Sequence, residues 1–200
     1  MARYQWLFVA AAAMSLITVR QAIAQELSRS TVRVAIHDSA AVPIDVMDAA
    51  RRKTTLAFAH AGVDVEWEAS GNGAGACRSD QDAPFCIQVL LRPRDLQSAP
   101  GPRRVMGMAL AADQRRAVLS LYFDAVTAVA RRYGSPRGDV LGLALMHEMG
   151  HVLLPPPSHS ATGIMQPSWE GDDIRHVLSG DITFTEAQIL TMRARLALRQ

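Results

Sequence analysis

Residues 31–67 restrict the fold more than any other stretch of this chain. Residues 31–37 (TVRVAIH) alternate and are rich in β-branched side chains, the pattern of a strand. Pro43 stands where a helix can begin, and Met47, Ala50, Thr54, Ala57, Phe58 and Ala61 then recur at helical spacing. Gly62 is a natural stop, and residues 63–67 return to alternation. Strand, helix and strand over this length form a crossover unit, and its two strands must run parallel.

Further along, residues 86–91 (CIQVLL) read as a third strand. Residues 105–110 and 117–123 read as two more, joined by a polar turn at 113–116, with Gly107 weakening the first into an edge strand. Asp124 is placed to cap a helix reaching about Tyr133. Asp139 is placed to cap another, from Val140 to about Leu153, which Pro155, Pro156 and Pro157 must end. Thr185 with Gln188 makes a capping-box pair, and Phe184 with Ile189 fits a hydrophobic staple, so a last helix is expected from Glu186 to about Leu198. The class is α+β with α/β character: about five strands in one mixed sheet, without internal repeat or linker.

The first 24 residues read as a leader. Arg3 supplies the positive start, residues 7–19 are uncharged and mostly apolar, and Ala22-Ile23-Ala24 gives a small-x-small cleavage site. Arg20 interrupts an apolar run that is already short for a membrane span, and no later stretch is long enough for one. Export to the periplasm or medium is expected, with residues 25–200 as one domain and no stable membrane insertion. Only residues 25–30 then precede the first strand, too few for a folded inhibitory pro-domain, and no cysteine lies there. Removing 1–24 takes away two cations and no acid, so the formal charge falls from +2 to zero. With no basic tract, nucleic acid is not an expected partner. Cys77 and Cys86 are the only cysteines, and outside the cell they should pair. The Gly-rich stretch 70–76 lacks the Gly-Lys-Ser/Thr ending of a phosphate loop and reads as a connection.

Chemistry concentrates in His147-Glu148-Met149-Gly150-His151. On a helix, residues four apart share a face, so two imidazoles there can hold one zinc ion. Glu148, beside the first of them, can reach a zinc-bound water as general base. A catalytic zinc takes a third protein ligand and leaves a fourth position open. His159, following the chain reversal imposed by the prolines, is the nearest candidate. Glu170 competes with it, and Asp172, Asp173 and His176 are further possibilities. His37, His60 and His176 otherwise read as ordinary packing or surface histidines.

His147-Glu148-x-Gly150-His151, His159-Ser160 and Gly163-Ile164-Met165-x-Pro167 together resemble the active-site stretch of metzincin zinc peptidases, of the matrixin-like kind. The resemblance is specific over 147–167. It implies His147, His151 and His159 as zinc ligands, Glu148 as base, and Met165 in a tight Met-turn under the metal. It also implies a twisted sheet with an antiparallel edge strand above a cleft that takes a peptide or protein substrate. Trp169 is then either placed to line the pocket for the residue after the scissile bond or an ordinary core or surface aromatic. Where the family has a glycine three residues after the second histidine, and a third histidine three residues later, this chain has Leu154 and Pro157, with His159 two residues late. Two other readings fit these residues: a zinc-stabilised binding protein without catalysis, and a gluzincin-like peptidase with Glu170 as third ligand.

Overall fold

The structure, a computed structural model, describes residues 29–68, 77, 84–94, 105–113, 115–180 and 183–199. The leader reading on 1–24 and the Gly-rich connection at 70–76 lie outside the described residues.

Five strands make one sheet: β1 (Ser30–Asp38), β2 (Val63–Trp67), β3 (Phe85–Arg92), β4 (Gly107–Ala112) and β5 (Arg116–Tyr122). Their spatial order is β2-β1-β3-β5-β4, with every neighbouring pair parallel except β4–β5. The crossover expected from residues 31–67 is present, with α1 (Ile44–His60) joining β1 to β2. The parallel centre buries one apolar face, while the opposite face carries the half-buried polar residues Arg33, His37 and Gln88. Val32, Val34, Ile87, Val89, Leu119 and Leu121 are all without solvent exposure. The antiparallel strand β4 sits at one edge, as the resemblance implied.

Residues 105–110 were expected to form that strand, but it starts at Gly107 and runs to Ala112. The cause is a bulge: Ala109 pairs with Leu119 and Ala111 with Val118, which leaves Leu110 as an extra residue. The turn that follows is tied by the Asp113 carboxylate, which accepts the N–H groups of Arg115 and Arg116, each at 2.7 Å.

Four more helices follow: α2 (Phe123–Tyr133), α3 (Arg137–Leu153), α4 (Gly171–Ser179) and α5 (Glu186–Ala197). Neither Asp124 nor Asp139 is the cap expected of it. Strand β5 passes directly into α2, so Tyr122 takes the cap position and Asp124 falls inside the first turn. Pro136 precedes α3, which begins three residues earlier than expected. A proline costs nothing there, because the first N–H groups of a helix lack intrahelical acceptors anyway. Asp139 lies in the first turn and pairs with Lys53 of α1 at 3.3 Å.

Helix α4 was not expected. Its acids, singled out as possible ligands, serve its local structure: Asp173 accepts the Glu170 N–H at 2.9 Å, and Asp172 pairs with Arg175. Helix α5 has the expected capping box and runs to Ala197. Phe184 belongs to the buried core, and Ile189, partly buried, packs against it. Cys77 and Cys86 form the expected disulfide.

Helix α3 is the centre of the packing. It touches α1, α2, α4, α5, β4 and β5, and nearly every residue from Val140 to Leu153 is buried. A helix apolar on all sides belongs inside a core. This one carries His147, Glu148 and His151, so two of its polar side chains, His147 and Glu148, are buried at only 7% exposure.

Candidate metal centre

The last two turns of α3 point His147 and His151 at one another, with their Nε2 atoms 3.0 Å apart. His159 closes the group. One ring nitrogen from each of the three histidines lies within 4.8 Å of the others. Glu170 is exposed and outside the group; Asp172, Asp173, His37, His60 and His176 are outside it as well. Among the described residues no other set of histidine, cysteine or carboxylate side chains gathers in this way.

The hydrogen bonds of the rings show what the group can hold. His147 Nδ1 lies 2.9 Å from the carbonyl oxygen of Ile164. A carbonyl only accepts, so Nδ1 carries the proton and Nε2 is left with a lone pair. His151 Nδ1 lies 2.6 Å from the Ser158 hydroxyl. When that nitrogen donates to the hydroxyl, His151 Nε2 also presents a lone pair, toward the same point. Two lone pairs so close repel unless a cation lies between them. Three imidazoles in this arrangement suit a borderline divalent ion, and the Ile164 carbonyl fixes the His147 tautomer as metal sites require. The residues therefore fit a metal ion.

Burial is the main reason His147 is held well below the ordinary histidine range, at about 4. The Ile164 carbonyl opposes this, while His151 and His159 add to it. Burial, with His159 second, also lowers His151. Both rings are thus neutral near pH 7, the form that ligates.

Glu148 projects from α3 toward the edge strand. Burial raises its carboxyl to about 7, against the pull of a hydrogen bond from the Ala109 backbone N–H. Ala109 immediately precedes the bulge in β4. Gly107, on the same strand, accounts for how closely Glu148 lies: a Cβ there would fall 2.6 Å from Glu148 Cγ and from Leu121 Cδ2. The sequence showed Gly107 only as a weak strand residue. Its use as clearance for Glu148 depends on a pairing between distant segments, which spacing along the chain does not show.

The turn at Gly163-Ile164-Met165 lies against the same face of α3. Met165 has no solvent exposure, and a Cβ on Gly150 would fall on its sulfur. Gly150, between the two helix histidines in sequence, is therefore where the methionine enters. Gly163 adopts φ +84°, and a Cβ there would meet the Thr183 carbonyl oxygen at 2.5 Å. The bonds that hold the turn include Ile164 N–H to Thr183 O at 3.1 Å, Ser160 N–H to Met165 O at 2.9 Å and Gln166 N–H to Gly163 O at 3.3 Å.

Leu154 follows α3 with φ −100° and ψ 151°, an extended conformation open to any residue. No left-handed turn is made at this position, so no glycine is required. Pro155, Pro156 and Pro157 are exposed, with a cis bond between the last two, and the chain comes back to place His159. Trp169 stands edge-on to the His147 ring, with centroids 4.8 Å apart. Its Nε1 is buried and has no hydrogen-bond partner among the described residues.

No protein-family model matches this chain, and no curated protein matches its sequence. What the molecule can bind is therefore read from its own residues. Those show a three-histidine group able to hold a metal ion, on a five-stranded mixed sheet with helices. Spacing had not pointed to the Ser158 hydroxyl, the Ile164 carbonyl or the Ala109 N–H. Two of these are backbone groups, which leave no mark in residue identity.

Proposed function

We propose that the chain is an exported zinc-dependent endopeptidase of metzincin type, with residues 25–200 as one catalytic domain after loss of the leader. The observation that carries this reading is the union of three imidazoles with one neighbouring buried carboxylate and no fourth protein ligand. A structural zinc site is closed by four side chains. Among the described residues, no fourth histidine, cysteine or carboxylate joins these three. The open position and the adjacent Glu148 are what a hydrolytic site needs and a purely structural one does not.

Bound zinc polarises a carbonyl and lowers the pKa of a water to about 7. The chain's own groups do the rest. The Ile164 carbonyl holds the tautomer of His147, the Ser158 hydroxyl orients the His151 ring, and Trp169 stands against the His147 ring. Glu148, aimed by the Ala109 N–H, takes a proton from the attacking water as its oxygen adds to the peptide carbonyl carbon. The C–N bond then breaks, and Glu148 returns the proton to the departing amine. Strand β4 is a sheet edge, and an extended peptide can lie along it through backbone hydrogen bonds. Exposed Met108 and Leu110 flank that path. Met165, packed at Gly150, would form the floor beneath a bound metal, and Trp169, edge-on to His147, would line the pocket beyond the scissile bond. The Cys77–Cys86 disulfide supports an oxidising compartment, and no described helix is long and apolar enough to cross a membrane.

The test is casein hydrolysis by the full chain and by Glu148→Ala made in the same host, with zinc content measured on both. The expected result is a loss of at least about 100-fold in rate, the usual scale of general acid–base catalysis, with zinc retained. Equal cleavage by the two proteins would remove Glu148 from the reaction. A chain that keeps its zinc and cleaves nothing would be the binding protein instead.

A further inference from the structure

We infer that Gln188, on the first turn of α5, is a positioning residue for the third histidine. This rests on the reading of the three histidines as a metal site. The Gln188 amide meets three groups. Its Oε1 accepts the Thr185 N–H at 3.0 Å, completing the capping box. Its Nε2 donates to the Ser158 carbonyl at 3.2 Å and to the Ser160 hydroxyl at 3.1 Å. Thr185 N–H can only donate and the Ser158 carbonyl can only accept, so these partners allow one orientation of the amide.

Ser158 and Ser160 are the residues on either side of His159. The histidine itself is exposed, and it follows a loop of exposed prolines rather than a helix. Its neighbours have few other anchors. Ser160 bonds to Met165 O through its N–H and to Thr162 O through its hydroxyl, while the Ser158 hydroxyl is engaged by His151. Gln188 thus bridges both flanks of the ligand to a packed helix, 28 and 30 residues further along the chain. The Ser158 that it holds by the carbonyl also meets His151 Nδ1 through its hydroxyl. One side chain therefore supports two of the three rings.

Residue type supplies a second line of support. A capping box accepts Glu as readily as Gln at this position, because the cap needs only an oxygen. Glu has no N–H to give to Ser158 and Ser160. An amide is needed only if the donors matter, and here both are used.

Gln188→Glu separates the two roles, since it keeps the cap oxygen and removes the donors. Thr185→Ala is the control, since it weakens the cap and keeps the amide. Each full-length variant is made metal-free and titrated with zinc against a chelating dye, beside the parent and His147→Ala. Amide exchange over residues 158–165 is followed in the metal-free proteins. The expected result is a 10- to 100-fold loss of zinc affinity in Gln188→Glu, the usual range for an outer partner of a ligand, about tenfold at the least. It is accompanied by faster exchange at Ser160 without metal. Thr185→Ala should lower Tm while holding zinc affinity within about threefold of the parent, a small fraction of that range. Parent-like affinity and exchange in Gln188→Glu overturn the inference while leaving the metal site standing. Equal loss of affinity in Thr185→Ala also overturns it, since the effect is then only helix stability. A parent that binds zinc no better than His147→Ala overturns the metal site and this inference together.

Discussion

His147 and His159 serve one small space but are built by different means. His147 sits on the most buried helix of the molecule, at 7% exposure, with its outer nitrogen tied to a backbone carbonyl. His159 is exposed, sits beyond a proline loop, and depends on side-chain hydrogen bonds to its two neighbours. The first half of the site is set by core packing, which cannot change without cost to the whole fold. The second half is set by a few exchangeable polar contacts. Geometry in this centre should therefore be most open to alteration on the His159 side.

Unfolding of the metal-free chain in urea puts this contrast on a scale. Leu154→Gly should cost most, about 2–5 kcal/mol, as a buried leucine lost from the core. This is an informative change, because the resembled family carries glycine there. A gain in stability would mean that the extended conformation of Leu154 has been misjudged. Gly150→Ala should follow, at about 1–3 kcal/mol, because the added methyl falls on the Met165 sulfur. His147→Ala leaves the Ile164 carbonyl without its donor and should cost about 1–3 kcal/mol. His159→Ala, at an exposed site, should stay within about 0.5 kcal/mol of the parent. With zinc present the two histidine variants should converge, each losing the stabilisation that a bound ion supplies to the parent by mass action. If His159→Ala proves as damaging as His147→Ala without metal, the division between a packed half and a tethered half is wrong.

The same division governs what could be read from the sequence. The crossover of β1, α1 and β2 was legible because burial imposes period 2 and then period 3.6 on neighbouring residues. His147, Glu148 and His151 were legible because helical geometry alone sets them on one face. Thr185 and Gln188 were legible as a cap, since that motif is local. The donors of Gln188 toward Ser158 and Ser160 were not, because they join segments about thirty residues apart. The boundaries of α2 and α3 were misjudged at Asp124 and Asp139 for a related reason. An acid in the first turn favours a helix much as a capping acid does, and residue type alone does not distinguish the two places. Helix α4 was missed although Ile174, Val177 and Leu178 recur at helical spacing, because a nine-residue segment offers only one such repeat.

The central claim is that these three histidines hold a catalytic zinc. Anomalous diffraction at the zinc edge, from crystals of the full chain, addresses it directly. The predicted result is one strong peak about 2.0–2.1 Å from a nitrogen of each of His147, His151 and His159, with no fourth protein ligand. A peak bonded to Glu170, a peak away from this group, or no peak from zinc-loaded crystals would contradict it.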